Sequence, residues 1–412
     1  MRHDALLIPA DRDRSERVRD SFLVFGSPYI GEEEIAEVVA TLRSGWVGTG
    51  PRVAQLEEEF AAYIGATSCC AVNSCTAALH LSLLAAGLEP GDEVITTPLT
   101  FCATVNAIIH AGATPVLADV DPITWNIDPR QIEARITSRT RAIVPVHFAG
   151  RACDMGAICS IAERHGLDLI EDCAHAIETT YEGKHAGTFG RLGCFSFYVT
   201  KNLMTGEGGM IATTSPHDDL ARIKTLALHG MSKDAWKRFS DKGFKHYRVV
   251  ECGFKYNMMD LQAAIGIHQL RRIEANWLVR KKIWERYNAA FADLDIGIPA
   301  PLPPSDRHAL HLYTITIDPD KTGMTRDAFL DEMTRRKIGV GVHYVSLPEH
   351  PYYQGVFGWR AEDYPISKRI GETTVSLPLS AKLSEADVED VIWHVNHALR
   401  VNRPATRYRV AS

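Results

Sequence analysis

Apolar residues recur at helical spacing over residues 32–42, stop at Gly45-Trp46-Val47-Gly48-Thr49-Gly50-Pro51, and resume over 52–63. That pattern predicts two helices divided by a break. Beyond them the period alternates. An apolar run at 69–72, helical spacing over 77–86 and a second run at 93–97 begin a strand–helix–strand order, and further runs at 114–118, 142–146, 167–170, 193–198 and 209–213 continue it. Short, nearly continuous apolar runs separated by helical stretches suit a mainly parallel sheet with helices on its faces. An amphipathic helix is expected over 277–294, and the Pro-rich stretch 299–304 ends this organisation. Strand-like 312–317, helix-like 326–336, strand-like 340–344 and a final helix after Ser384 follow, the order of a small α+β unit. The expected architecture is α/β: a flexible N-terminal extension over 1–24, a large domain over 25–295, and a smaller C-terminal domain over 296–412.

Composition narrows the class. With 412 residues, 45% hydrophobic and 23% charged, the chain can bury a large core. A net charge of -6 offers no broad basic surface for nucleic acid. No run approaches the roughly 18 apolar residues of a membrane span, and the Arg- and Asp-studded first twenty residues lack a secretory apolar stretch. The nine cysteines form no CxxC pair and no zinc-ligand cluster, so no metal is expected and a reducing cytoplasm is the simplest setting.

Candidate chemistry gathers at strand ends. Lys201 closes the run Phe195-Ser196-Phe197-Tyr198-Val199-Thr200-Lys201-Asn202, just before Gly206-Glu207-Gly208-Gly209. Taken alone it reads as a surface lysine. Held inside a domain, however, it would lose hydration and become a neutral amine, able to form a Schiff base with a cofactor aldehyde. Asp172 ends the apolar run 167–172, where it reads either as a helix N-cap or as the acid that keeps a pyridine nitrogen protonated. Asn73-Ser74-Cys75-Thr76-Ala77-Ala78 reads either as an ordinary capped helix start or as a phosphate cradle of backbone amides. Phe101 would be a core aromatic or a stacking surface for a flat ring.

These motifs, in this order, resemble the DegT/StrS-type sugar aminotransferases, enzymes of pyridoxal-phosphate (PLP) fold type I with an aspartate-aminotransferase-like architecture. The resemblance runs from about residue 25 to about residue 399. It also rests on Ser44-Gly45-Trp46, Pro90-Gly91-Asp92-Glu93, Glu171-Asp172-Cys173-Ala174-His175-Ala176, Tyr256-Asn257 with Asp260-Leu261-Gln262, and Ser376-Leu377-Pro378-Leu379. It implies that Lys201 is the Schiff-base lysine, that Asp172 pairs with the pyridine nitrogen, and that His175 hydrogen-bonds the ring's phenolic oxygen. It further implies that Cys75, Thr76 and Ser196 hold the phosphate, that Phe101 stacks on the ring, and that Asn257 reaches the phosphate of a partner subunit, making a homodimer with composite sites. Cys75 stands where relatives commonly carry Gly, and Tyr198-Val199 where they carry His-Pro.

The implied reaction moves an amino group from an amino acid, L-glutamate, through pyridoxamine 5'-phosphate to a keto-sugar nucleotide. Within the family, Val146-His147-Phe148-Ala149-Gly150, Leu228-His229-Gly230 and Gly253-Phe254-Lys255-Tyr256-Asn257 are similar to enzymes making UDP-4-amino-4-deoxy-L-arabinose and UDP-4-amino-4,6-dideoxy-N-acetyl-sugars. That favours C4 of a UDP-linked 4-keto sugar, with Trp46, Tyr313 and His343 as pocket residues that could equally be packing. Two alternatives keep the same motifs: a scyllo-inosose-type aminocyclitol aminotransferase, and a non-catalytic PLP-binding regulator. A nucleotide-dependent oxidoreductase would need an early strand–GxGxxG–helix, which is missing.

Overall fold

Runs that are apolar throughout become strands covered on both faces. The computed structural model describes residues 18–214, 219–232 and 248–401. Its main strands are β1 (Ser68–Val72), β2 (Glu93–Thr96), β3 (Thr114–Leu117), β4 (Thr140–Ile143) and β5 (Asp168–Asp172). A small hairpin, β6 (Thr180–Tyr181) and β7 (Lys184–His185), precedes β8 (Leu192–Ser196) and β9 (Gly209–Thr213). Seven strands form one sheet in the order β1-β9-β8-β5-β4-β2-β3. β3, β2, β4, β5 and β8 pair in parallel, whereas β9 runs antiparallel to both β8 and β1. Every residue of β2, β8 and β9 is buried, as expected of strands sandwiched between helical layers.

This topology brings the carboxyl ends of β1, β2, β5 and β8 to one edge of the sheet. There the chain leaves β1 for helix Cys75–Ala85, leaves β2 for the loop ending at Phe101, leaves β5 at Asp172, and leaves β8 at Ser196. In open α/β sheets, ligands bind at this edge. The first two expected helices are Glu32–Ser44, ended by Gly45 in the left-handed conformation, and Pro51–Ile64, begun by a proline at its first turn.

A second hydrophobic core lies around the two-stranded sheet β10 (Tyr313–Thr316) and β11 (Thr374–Leu377), which pair antiparallel. Helices Arg326–Arg335 and Glu385–Val401 pack there. This core also takes Ile283, Tyr287 and Phe291 from helix Ile273–Phe291. We retain the division at 295/296 as a proposal, with that helix serving both units. The strand expected over 340–344 is corrected: the segment makes one bridge, between Gly341 and Ser376, and His343 bonds to the Ser376 hydroxyl instead of extending a ladder. Of the expected flexible extension, residues 1–17 lie outside the described residues, as do 402–412. The remainder is tied down: Leu23 exchanges backbone hydrogen bonds with Lys337 and Gly339 at 2.8 Å, and Arg19 pairs with Asp387 and Asp390. Among the described residues, no helix is long and apolar enough to cross a membrane.

Candidate active site

Asp172 sits at the carboxyl end of β5, fully enclosed. Its Oδ2 accepts from the Thr104 hydroxyl at 2.8 Å and its Oδ1 from the Ala174 amide at 3.1 Å. Burial pushes its pKa up despite these two bonds and the nearby Lys201 charge. A cation brought beside this carboxylate would reverse that shift.

Lys201 lies in a turn after β8, its amide donating to the Tyr198 carbonyl at 2.8 Å. The residue is half-buried, but its amine is desolvated, and this lowers its pKa from 10.5 to about 8 against the opposing influence of Cys75 and Asp172. Among the described residues the amine has no ion-pair or hydrogen-bond partner. An amine held near neutrality beside a buried acid is suited to attack a carbonyl and to carry a proton afterwards.

His175 follows three residues after Asp172. Its Nδ1 accepts from the Ala149 amide at 3.2 Å, so the neutral ring carries its proton on Nε2, which lies 3.1 Å from the Tyr344 hydroxyl. Burial first, then the Lys201, His311 and His343 charges, hold it well below the usual histidine range. His343 is pushed down to about 4 by burial and by Lys201, and its Nδ1 lies 2.8 Å from the Ser376 hydroxyl.

The helix Cys75–Ala85 opens with Ser74 as N-cap, whose hydroxyl accepts from the Ala77 amide at 3.1 Å. The amides of Cys75 and Thr76 are left without an acceptor among the described residues, an arrangement that favours an anion. The Cys75 thiol points instead to the Cys194 carbonyl at 3.7 Å and is pushed well above the thiol range by burial. Gly209 is what lets β9 meet this helix start: a Cβ there would lie 2.6 Å from the Ser74 carbonyl carbon and 2.7 Å from the Cys75 nitrogen. Ser196, buried at the end of β8, is the partner of Gly209 in register. Phe101, at the start of helix Cys102–His110, is 59% exposed, a large aromatic face left uncovered at the same edge.

The structure therefore gathers Lys201, Asp172, His175, His343, Cys75, Thr76, Ser196 and Phe101 at one sheet edge. Trp46 and Asn257 form a second group. Asn257 donates to the Thr49 hydroxyl at 2.6 Å, Trp46 donates to the Thr49 carbonyl at 3.1 Å, and both line a cavity of about 490 Å³. The Oδ1 of Asn257 is buried with no partner among the described residues. Tyr313 is a correction: it is fully buried in the second core against Trp284, Tyr287 and Phe291, its hydroxyl on Asn288 at 2.8 Å, and it offers no surface to a pocket.

Thr104, Tyr344, Asn202 and His311 went unread in the sequence. The last two showed some signal, since Asn202 adjoins Lys201 and His311 precedes Tyr313 by two. One metal-like cluster, His147, Glu171 and Cys173, also lies in the fold. Its carboxylate already accepts from the Gly187, Phe189 and Gly190 amides, at 2.7, 2.7 and 2.8 Å, and contacts His147 Nε2 at 3.1 Å, so it works as a brace beneath Asp172.

A desolvated lysine, a buried acid, an uncovered aromatic and free helix-start amides, set on a mainly parallel sheet, define a fold type I aminotransferase. Residues 28–396 match the DegT/DnrJ/EryC1/StrS aminotransferase family, and the chain belongs to it. It is 50% identical over 384 residues to the spore coat polysaccharide biosynthesis protein SpsC of Bacillus subtilis, covering 93% of this chain and 98% of SpsC. Among solved structures it resembles Spr1654 of Streptococcus pneumoniae, a candidate sugar aminotransferase, in its pyridoxamine-phosphate form (TM-score 0.87, 33% identity, 92% of this chain and 100% of that one). Spr1654 has also been solved in a PLP form. Helicobacter pylori PseC, an aminotransferase of pseudoaminic acid biosynthesis, has a TM-score of 0.85 at 27% identity, over 93% of this chain and 100% of PseC.

Proposed function

We propose that this aminotransferase moves an amino group from L-glutamate to C4 of a UDP-linked 4-keto sugar, in the making of an amino sugar. The cofactor is pyridoxal 5'-phosphate, which supplies the carbonyl that captures an amine and the ring that takes up the electrons left when a proton departs. The residues fit it. Lys201 would hold the carbonyl carbon and, once displaced by substrate, carry the proton between the substrate carbon and the cofactor carbon. Asp172 would keep the ring nitrogen protonated, and the His175 Nε2–H would donate to the phenolic oxygen. Phe101 would cover the ring face, while Thr76, Ser196 and the Cys75 amide would bind the phosphate. His343 and Trp46 are assigned to the sugar pocket.

A homodimer is part of this reading, with Asn257 completing the phosphate site of the partner. The unpartnered Oδ1 of Asn257 and the exposed Ile35, Val39, Leu42, Trp46 and Met259 support it. The single observation that carries the reading is the desolvated, unpaired Lys201 amine beside the buried Asp172. The sugar assignment leans on the roles of SpsC, Spr1654 and PseC.

The test is the visible spectrum of the protein with PLP, before and after excess L-glutamate. The band of the lysine-linked cofactor should form and then give way to the pyridoxamine form. Return of the band should then be screened with UDP-4-keto sugars and with scyllo-inosose. No band at all would end the catalytic reading, no change with glutamate would end the donor assignment, and return with inosose alone would end the sugar-nucleotide assignment.

A further inference from the structure

His175 and His311 lie side by side with ring centroids 4.5 Å apart, yet the structure gives them opposite hydrogen-bonding duties. The donor–acceptor ledger starts at Asn202. Its Nδ2 lies 2.8 Å from the Ala309 carbonyl, which only accepts, and 2.9 and 3.2 Å from the two Glu178 oxygens, whose pKa burial pushes up but which the Arg280 charge holds as an accepting carboxylate. Turning the amide round would set its oxygen against these acceptors, so its orientation is fixed. Glu178 is in turn held by Arg280, both completely enclosed. The Asn202 Oδ1 then meets His311 Nδ1 at 3.1 Å, and an amide oxygen there requires a proton on that nitrogen. Burial holds His311 well below the usual histidine range, which leaves its Nε2 bare. His175 is the reverse: its Nδ1 is taken by the Ala149 amide and its proton sits on Nε2.

We propose that Asn202 is a positioning residue, which, clamped by the Glu178–Arg280 pair and the Ala309 carbonyl, locks His311 as the neutral Nδ1–H tautomer, packed against a His175 ring that the Ala149 amide holds as an Nε2–H donor. Charged and titratable groups surround the pair: Lys201, His343, His308 and Arg280 act on His311; Lys201, His311 and His343 act on His175, whose Nε2 meets the Tyr344 hydroxyl; and Glu178 lies behind Asn202. An imidazolium at either ring would add a positive charge directly beside the Lys201 amine and disfavour its protonated, cofactor-linked form. The lock therefore keeps the charge next to Lys201 constant across neutral pH. The lock itself stands on hydrogen-bond geometry. Its consequence for the lysine–cofactor linkage rests on the function proposed above.

Two measurements separate these. On cofactor-free protein labelled at histidine nitrogen, side-chain NMR should show His311 as Nδ1–H and His175 as Nε2–H, neither titrating near neutral pH, with His311→Phe assigning the signals. In Asn202→Ala, His311 should lose its single tautomer and titrate closer to an ordinary histidine. A wild-type His311 protonated on Nε2 overturns the lock even if the variant fails to fold, as does an unchanged His311 in Asn202→Ala. With cofactor bound, the pH midpoint of the visible band should fall by about one unit in Asn202→Ala. An unmoved midpoint alongside an altered tautomer overturns the positioning role. A wild-type protein that forms no band defeats the cofactor reading and leaves the NMR result to judge the lock.

Discussion

The desolvated Lys201 amine carries a stability cost that can be measured without any substrate. Folding moves its pKa from 10.5 to about 8, which corresponds to on the order of 3 kcal/mol of destabilisation while the amine is charged. The sign follows from proton counting. Because the folded-state pKa is the lower one, the unfolded chain binds the proton more tightly, and the cost is fully present below about pH 8. It shrinks as pH rises through the interval from about 8 to 10.5 and is gone above it, where the amine is neutral in both states. Lys201→Met keeps most of the length of the side chain and removes the charge. Cofactor-free Lys201→Met should therefore be more stable than wild type in urea at pH 7, by up to about 3 kcal/mol, and this advantage should vanish near pH 10.5. Comparing variant with wild type at each pH cancels the titration of other groups. An advantage that does not change with pH, or a variant less stable at pH 7, would refute the account, since either result means that the native site does not penalise the charge.

The same site gives three further expectations. Asp172→Asn keeps the shape but removes the carboxylate buried against Thr104, so turnover should fall by about 100- to 1,000-fold with cofactor still bound, as read by single-turnover absorbance. Gly209→Ala drives a methyl group into the Ser74–Cys75 backbone, and the displaced helix start should raise the PLP dissociation constant by about 10-fold, measured by fluorescence titration. Glu178→Gln leaves the Arg280 guanidinium enclosed without its counter-charge, and should destabilise the chain by about 3–5 kcal/mol in denaturant melts.

How much of this could be read from the chain depended on the range of the contacts. The strands were legible because β2, β8 and β9 are covered on both faces, which forces continuous apolar runs, and the end of another such run announced Asp172, whereas Ser196 came only from the family resemblance. Lys201 was legible through its neighbours in sequence. The residues that set the site's electrostatics come from far away along the chain: Thr104 reaches Asp172 across 68 positions, His311 reaches Asn202 across 109, and Tyr344 reaches His175 across 169. No local period encodes such meetings. Tyr313 shows the converse failure. An aromatic two residues after His311 would share its face in a continuous strand, but β10 begins only at Tyr313, after Leu310 has taken a φ of 54°. The His311 and Leu312 amides both donate to the Ala149 carbonyl at 3.2 Å instead of joining β10, so His311 lies at the Lys201 edge while Tyr313 enters the second core. The resemblance placed Tyr313 in the pocket by its position along the chain alone, and here a single residue, Leu312, separates a histidine beside the lysine from a tyrosine that only packs.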